Sequence, residues 1–176
     1  MLPETIDGGT FRLRRHRSDD ADAVFSYAHD EEYLRHLPIS LPYTMASTRD
    51  FLLKQAGLDW ALHPSWAIEV DGAAAGGINI RFRAEHRIAE MGYAVARRLW
   101  GRGLATAAAR LVVGAAFDAH PELTRLRATA DAENKASIRV MEKLGMRREA
   151  LLRSDRLCHG ELRDEVHRKL LGLVPL

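Results

Sequence analysis

The stretch Arg98-Leu99-Trp100-Gly101-Arg102-Gly103-Leu104-Ala105-Thr106 lies between a segment of strand-like alternation and a long alanine-rich helix, and its reading decides the fold. Two glycines in a strand-to-helix turn let the backbone approach a ligand closely, and the first turn of a helix offers unpaired N–H groups at the positive end of its dipole. Arg98 and Arg102 add charge beside that turn, so a phosphate or pyrophosphate is its natural occupant. A P-loop needs a lysine followed by serine or threonine to close the turn, and no lysine is present. A dinucleotide fingerprint puts a third glycine where Thr106 stands and an acidic residue at a strand end about 20 residues on, and neither condition is met.

Working outward, Thr10–Arg15 alternates as a strand with Phe11 and Leu13 inward. Ser18, Asp19 and Asp20 offer caps for a helix over Ala21–Leu37. The two prolines of His36–Met45 make that stretch a loop. Ser47 is the expected cap of a second helix that runs to about Leu62, with Asp50 in the capping-box position. Trp66–Val70 and Ala75–Arg83 read as strands joined at Asp71-Gly72, and Arg87–Ala96 as the strand that leads into the glycine turn. A long helix starts near Gly103 and ends before Pro121. Leu123–Ala130 is a strand, Asn134–Leu144 a short amphipathic helix closed by Gly145, and Met146–Leu152 and Glu161–Leu171 the last two strands. The expected fold class is α+β, a mixed and mostly antiparallel sheet flanked by helices, in a single domain spanning 1–176.

Composition agrees with one ordinary globular domain of 176 residues, 47% hydrophobic and 28% charged. A net charge of +2 excludes a bulk polyanion binder, so no nucleic-acid partner is expected. Lys54, Lys135, Lys143 and Lys169 are the only lysines, so arginine supplies the other twenty-two of the 26 basic residues. Arginine forks suit phosphate and carboxylate, although such a bias is also a genomic habit. One cysteine, Cys158, points to a reducing compartment. No apolar run approaches the roughly 18–20 residues of a membrane span, and the expectation is a cytoplasmic protein without a membrane partner. Cys158 and His159 lack ligand spacing, so no metal is expected.

Arg98-x-x-Gly101-x-Gly103 resembles the Q/R-x-x-G-x-G/A pyrophosphate loop of the GNAT family of N-acetyltransferases. Asn134, Ser137, Val140, Glu142, Lys143 and Gly145 stand at the spacing of that family's second cofactor motif. Ala89-Glu90-Met91-Gly92-Tyr93 resembles the strand before the loop. The three segments come in family order, and the whole is most similar to the RimJ/RimL-type branch.

That resemblance implies an acetyl-CoA cosubstrate in a V-shaped opening between the Glu90–Ala96 strand and the Leu126–Ala130 strand. The backbone of Ala94 and Val95 would pair with the pantetheine arm. Backbone N–H groups of Leu99, Trp100, Gly101, Arg102, Gly103, Leu104, Ala105 and Thr106 would hold the pyrophosphate. Asn134 would meet the pantetheine, and Lys143 or Arg139 the adenosine end.

The implied reaction is direct attack of an amine on the thioester. It needs a deprotonated amine, an oxyanion donor and an acid for the thiolate. Glu90 is the candidate base; the alternative is a surface carboxylate paired with Arg87 or Arg97. A strand N–H, such as that of Val95, is the candidate oxyanion donor. Many family members carry a tyrosine where Met141 stands here, and the branch resemblance offers Ser137 as the acid instead; the alternative is that Ser137 braces the Asn134 helix and only contacts the cofactor, leaving the thiolate to a solvent proton. Tyr93 and Trp100 read as packing residues. His36 and Tyr43 flank the two-proline loop and are the candidate acceptor-binding residues. The acceptor is an amine on a peptide N-terminus or a small molecule. A CoA-binding module without turnover is the alternative function, and an exposed edge of the last strands is a route to a homodimer.

Overall fold

The computed structural model describes residues 1–83 and 87–172. Its elements in chain order are β1 (Ile6–Asp7), β2 (Arg12–Arg15), α1 (Ala21–Ala28), α2 (Glu31–Leu34), α3 (Met45–Ala56), β3 (Ser65–Val70), β4 (Ala73–Arg83), β5 (Ile88–Val95), α4 (Leu104–Ala119), β6 (Arg125–Asp131), α5 (Lys135–Lys143), β7 (Arg147–Cys158) and β8 (Glu161–Leu171). The described strands form one eight-stranded sheet in the order β1-β2-β3-β4-β5-β6-β8-β7. Its pairs are antiparallel except β5 with β6. This is the expected α+β architecture.

Side-chain alternation along the strands gives the sheet two buried faces. On one, Ile78, Ile80, Met91 and Leu126 pack against α4. Ala108, Ala109 and Ala116 of that helix are fully buried, and such short side chains let its backbone lie close over the sheet. On the other face, Val24, Tyr27 and Leu52 of α1 and α3 cover Ala67, Ala74 and Ala96. None of the described helices is long and apolar enough to cross a membrane.

Four boundaries differ from the sequence expectation. The helix expected over Ala21–Leu37 is two helices, because Asp30 adopts extended backbone and its side chain accepts the Glu32 and Tyr33 N–H groups, restarting the helix. The second helix is capped by Thr44, not Ser47; Ser47 sits three residues on and completes the capping box. That helix also stops at Ala56, where Gly57 takes the cap carbonyls, well short of Leu62. β7 extends to Cys158, past the expected end at Leu152. It is an edge strand, exposed along most of its length, so its residues carry no burial alternation to read.

Candidate active site

The parallel pair β5–β6 holds register only over Ile88–Arg125, Ala89–Leu126 and Glu90–Arg127. Both strands run on, to Val95 and Asp131, so beyond Glu90 they diverge and the sheet splits. Ala96 donates its N–H to the Ala75 carbonyl, and the β4–β5 register sets Gly77 opposite Ala94 and Gly76 opposite Val95. Every second residue of an antiparallel ladder exchanges hydrogen bonds with its partner. Ala94 is therefore bonded to β4, while Tyr93 and Val95 turn their backbone groups into the split. Of the two residues expected to pair with a pantetheine, Val95 faces the opening and Ala94 does not. The Val95 carbonyl is also occupied, accepting from Trp100 Nε1 at 2.7 Å. Trp100, read from sequence as packing, is 45% exposed and covers the strand end. The Val95 N–H is a strand donor that faces the opening.

The split opens into a cleft of about 1560 Å³ that passes from the face of α4 and α5 to the loop after α2. At one end lies the glycine turn. Gly101 and Gly103 have φ of 75° and 79°, left-handed values open to glycine at little strain. Gly103 caps α4 without a side-chain acceptor, leaving the N–H groups of Leu104, Ala105 and Thr106 without partners in the first helical turn. Those three residues, with Gly101 and Gly103, line the cleft. The Leu99 and Trp100 amides do not belong to this set, because they donate to the Ala96 and Arg97 carbonyls in a tight 3-10 turn. Arg98 and Arg102 are exposed and lie outside the cleft lining. The candidate anion site is thus built from backbone, and its arginines stand at its margin.

The side of the cleft formed by α5 begins at Asn134, whose Oδ1 accepts the Ser137 N–H at 2.9 Å. Asn134, Ser137, Arg139 and Lys143 line the cleft in the order of the motif. Met141, standing where a tyrosine was expected from the resemblance, is fully buried. A hydroxyl nevertheless reaches Ser137 from β5. Tyr93 Oη lies 3.0 Å from Ser137 Oγ and 3.0 Å from its carbonyl oxygen. Burial pushes the Tyr93 hydroxyl up to about 12, so it remains a donor across the physiological range. Tyr93, read from sequence as a packing residue, thus meets the candidate acid through its hydroxyl.

Glu90 lines the opposite side of the cleft. Its partner is Arg127, directly across the parallel register, and not Arg87 or Arg97. Arg127 Nε and Nη2 both donate to Oε2, at 3.0 and 2.7 Å. Farther along, His36 and Tyr43 also line the cleft. Tyr43 packs against the α1–α3 core cluster. His36 is anchored: its Nδ1 lies 2.8 Å from Asp131 Oδ2 at the end of β6. Asp131 and Arg127 had no local signal in the sequence, because each acquires its partner only when β6 is laid beside β5 and the two-proline loop.

Residues 10–147 match the family model described as an acetyltransferase (GNAT) domain. An uncharacterised N-acetyltransferase, p20, of Bacillus licheniformis is 28% identical over 169 residues, 92% of each chain. The crystal structure of a GNAT-family acetyltransferase from Bacillus anthracis superposes with a TM-score of 0.83 at 27% identity, covering 95% of this chain and 98% of that one. The fold is also that of RimL, an α-N-protein acetyltransferase of ribosomal L7/L12, solved with coenzyme A, with a TM-score of 0.84 at 15% identity over 96% of this chain and 98% of the other. A family match of that extent, on a sheet split beside a backbone-built anion turn, makes this chain a member of the GNAT family of acetyl-CoA-dependent N-acetyltransferases.

Proposed function

We propose that the protein moves the acetyl group of acetyl-CoA to a primary amine, on a peptide N-terminus or a small molecule, by direct attack within a ternary complex. One observation carries this reading: a single cleft joins the unpartnered amides at the start of α4 to the His36 loop through the split between β5 and β6. A cofactor and an acceptor entering from opposite ends meet at that split. The N–H groups of Gly101–Thr106 bind the pyrophosphate, with Arg98 and Arg102 reaching in from the margin. Lys143 serves the adenosine end. Asn134 steadies the pantetheine, and the Val95 N–H donates to the thioester oxygen as negative charge develops there.

Ser137 delivers the proton that the departing thiolate takes, with the Tyr93 hydroxyl 3.0 Å from its Oγ as a hydrogen-bond partner. The pair answers the missing tyrosine at Met141 and weighs against a binding module without turnover. Glu90, with one oxygen committed to Arg127, offers the other to an incoming ammonium and holds it at the mouth. His36 and Tyr43 belong to the acceptor arm.

Free thiol appearing from acetyl-CoA in the presence of an amine and peptide panel is the direct test. Acetyl-CoA is expected to raise Tm in a concentration-dependent manner, and at least one amine to release thiol well above the hydrolysis blank. A thermal shift without amine-dependent release overturns the transferase reading in favour of the binding module.

A further inference from the structure

Glu90 faces a guanidinium, with both Arg127 bonds on one of its oxygens and the other left to hold the ammonium. Another titratable pair in the same cleft has the opposite arrangement. Asp131 is 2% exposed, and its Oδ2 accepts from His36 Nδ1 at 2.8 Å. The His36 side chain itself remains 19% exposed along the cleft. A neutral imidazole that donates through Nδ1 carries its lone pair on Nε2. Among the described residues, Nε2 has no protein partner. We propose that His36 is the general base of the acetyl transfer, its Nε2 taking the proton of the acceptor ammonium while Asp131 positions the ring. The proposal rests on the transferase reading above.

The surroundings hold this pair in place. The loop that carries His36 offers three successive carbonyls, and the β7–β8 hairpin meets each of them. Arg163 Nη1 donates to Arg35 O at 3.2 Å, Arg156 Nη2 to His36 O at 3.5 Å, and Cys158 Sγ to Leu37 O at 3.4 Å. Backbone anchoring of this kind fixes where the imidazole is presented, which a proton acceptor needs. Asp131 remains a carboxylate. Burial alone would raise its pKa, but the bonds from His36, the Glu133 N–H and Arg163 hold it below the ordinary range. The charged groups around His36 are Asp131 on β6, Arg163 and Glu165 on β8, and Arg156 on β7. Arg156 is itself paired with Glu165 at 2.5 Å. One carboxylate therefore touches the imidazole directly, and neither guanidinium donates to it.

The proton balance is complete without a further reactant. R–NH3⁺ gives one proton to His36 Nε2, the amine lone pair forms the C–N bond, and the C–S bond breaks. The thiolate takes a proton from Ser137, and the nitrogen then loses its second proton, which restores the Ser137 hydroxyl. The His36 proton leaves to solvent, so one proton is released per turnover.

The test is the pH dependence of kcat/KM with the best amine of the panel, measured on wild type, His36→Gln, His36→Ala and the near-isosteric Asp131→Asn. His36→Gln is expected to lose about 10²–10⁴-fold in kcat/KM together with the acid limb of the profile, while acetyl-CoA still raises its Tm. Asp131→Asn, which removes the carboxylate but keeps the shape, is expected to fall in kcat more than it changes the acetyl-CoA KM. Added imidazole is expected to restore His36→Ala in proportion to its free-base concentration. A wild-type acid limb and kcat in either His36→Gln or Asp131→Asn overturns the assignment and leaves the transferase reading standing. Absence of thiol release by wild type overturns both.

Discussion

The hydroxyl pair Tyr93–Ser137 shows how much one contact changes the chemistry of the site. Ser137 alone is a weak acid whose N–H already serves the Asn134 cap. With Tyr93 Oη 3.0 Å from Oγ, a proton lost to sulfur has a neighbour from which it can be replaced. In the proposed mechanism the hydroxyl acts in the transition state, so Ser137→Ala is expected to reduce kcat by about 10²-fold with little change in the acetyl-CoA KM. Steady-state kinetics at saturating amine check this, and an unchanged kcat removes Ser137 from the proton route. Ser137 and Asn134 were legible in the sequence because they stand three positions apart at the start of one helix. Tyr93 was not, since its partner lies 44 residues away across a split that no local pattern reveals.

At the scale of elements, the glycine turn is the most local part of the site and the part read best. Gly101 and Gly103 stand where φ is positive, and α4 begins where its N-terminal amides have nothing else to bond. A Cβ on Gly103 would meet no atom within 4 Å, so a substitution there acts through backbone strain alone. Gly103→Ala is expected to destabilise the fold by about 1–2 kcal/mol and to weaken acetyl-CoA binding, since relief of the strain re-aims the Leu104–Thr106 amides. Urea denaturation and isothermal titration with acetyl-CoA check the two effects separately. The remainder of the turn needed the tertiary structure. Which amides are free depends on the 3-10 bonds of Leu99 and Trp100, and where the arginines stand depends on the path of the chain out of β5. Helix limits failed for a related reason: Asp30 and Thr44 cap as well as the residues chosen in their place, and only the path of the chain selects among such caps.

Across the whole molecule, a buried ion network ties the start of α1 to the sheet. Arg14 donates to Asp20 at 2.9 and 2.7 Å and pairs with Glu69, which Arg12 also holds at 2.5 Å. The Arg14 hydrogen bond holds the Glu69 carboxyl low. For Asp20 burial is the strongest single influence and would raise it, but the Arg14 bond, the Arg17 N–H and the neighbouring positive charge together hold it low. Beside the network, burial pushes the His16 imidazole down from its ordinary 6.5 to about 4, with both ring nitrogens unpartnered. Between those two pH values the unfolded chain binds a proton that the folded chain refuses, so stability declines as pH falls through that window. The depressed carboxylates contribute fully above their unfolded pKa values and lose their contribution only at lower pH. Chemical denaturation from pH 7.5 to 4.0 is expected to show the decline in wild type. His16→Leu is expected to flatten it above the carboxylate range; an identical slope in the variant would assign the decline elsewhere. The sequence by itself determined most of the order of elements and the glycine turn, because these rest on periodicity, caps and glycines within a few residues of one another, and its motifs carried the family resemblance that implied the cofactor class. Only the tertiary structure decided that Glu90 is held by Arg127, that Tyr93 meets Ser137 and that His36 is backed by Asp131. Those pairs form where β5 and β6 part and a distant loop closes over them, and that geometry exists only once the chain is folded.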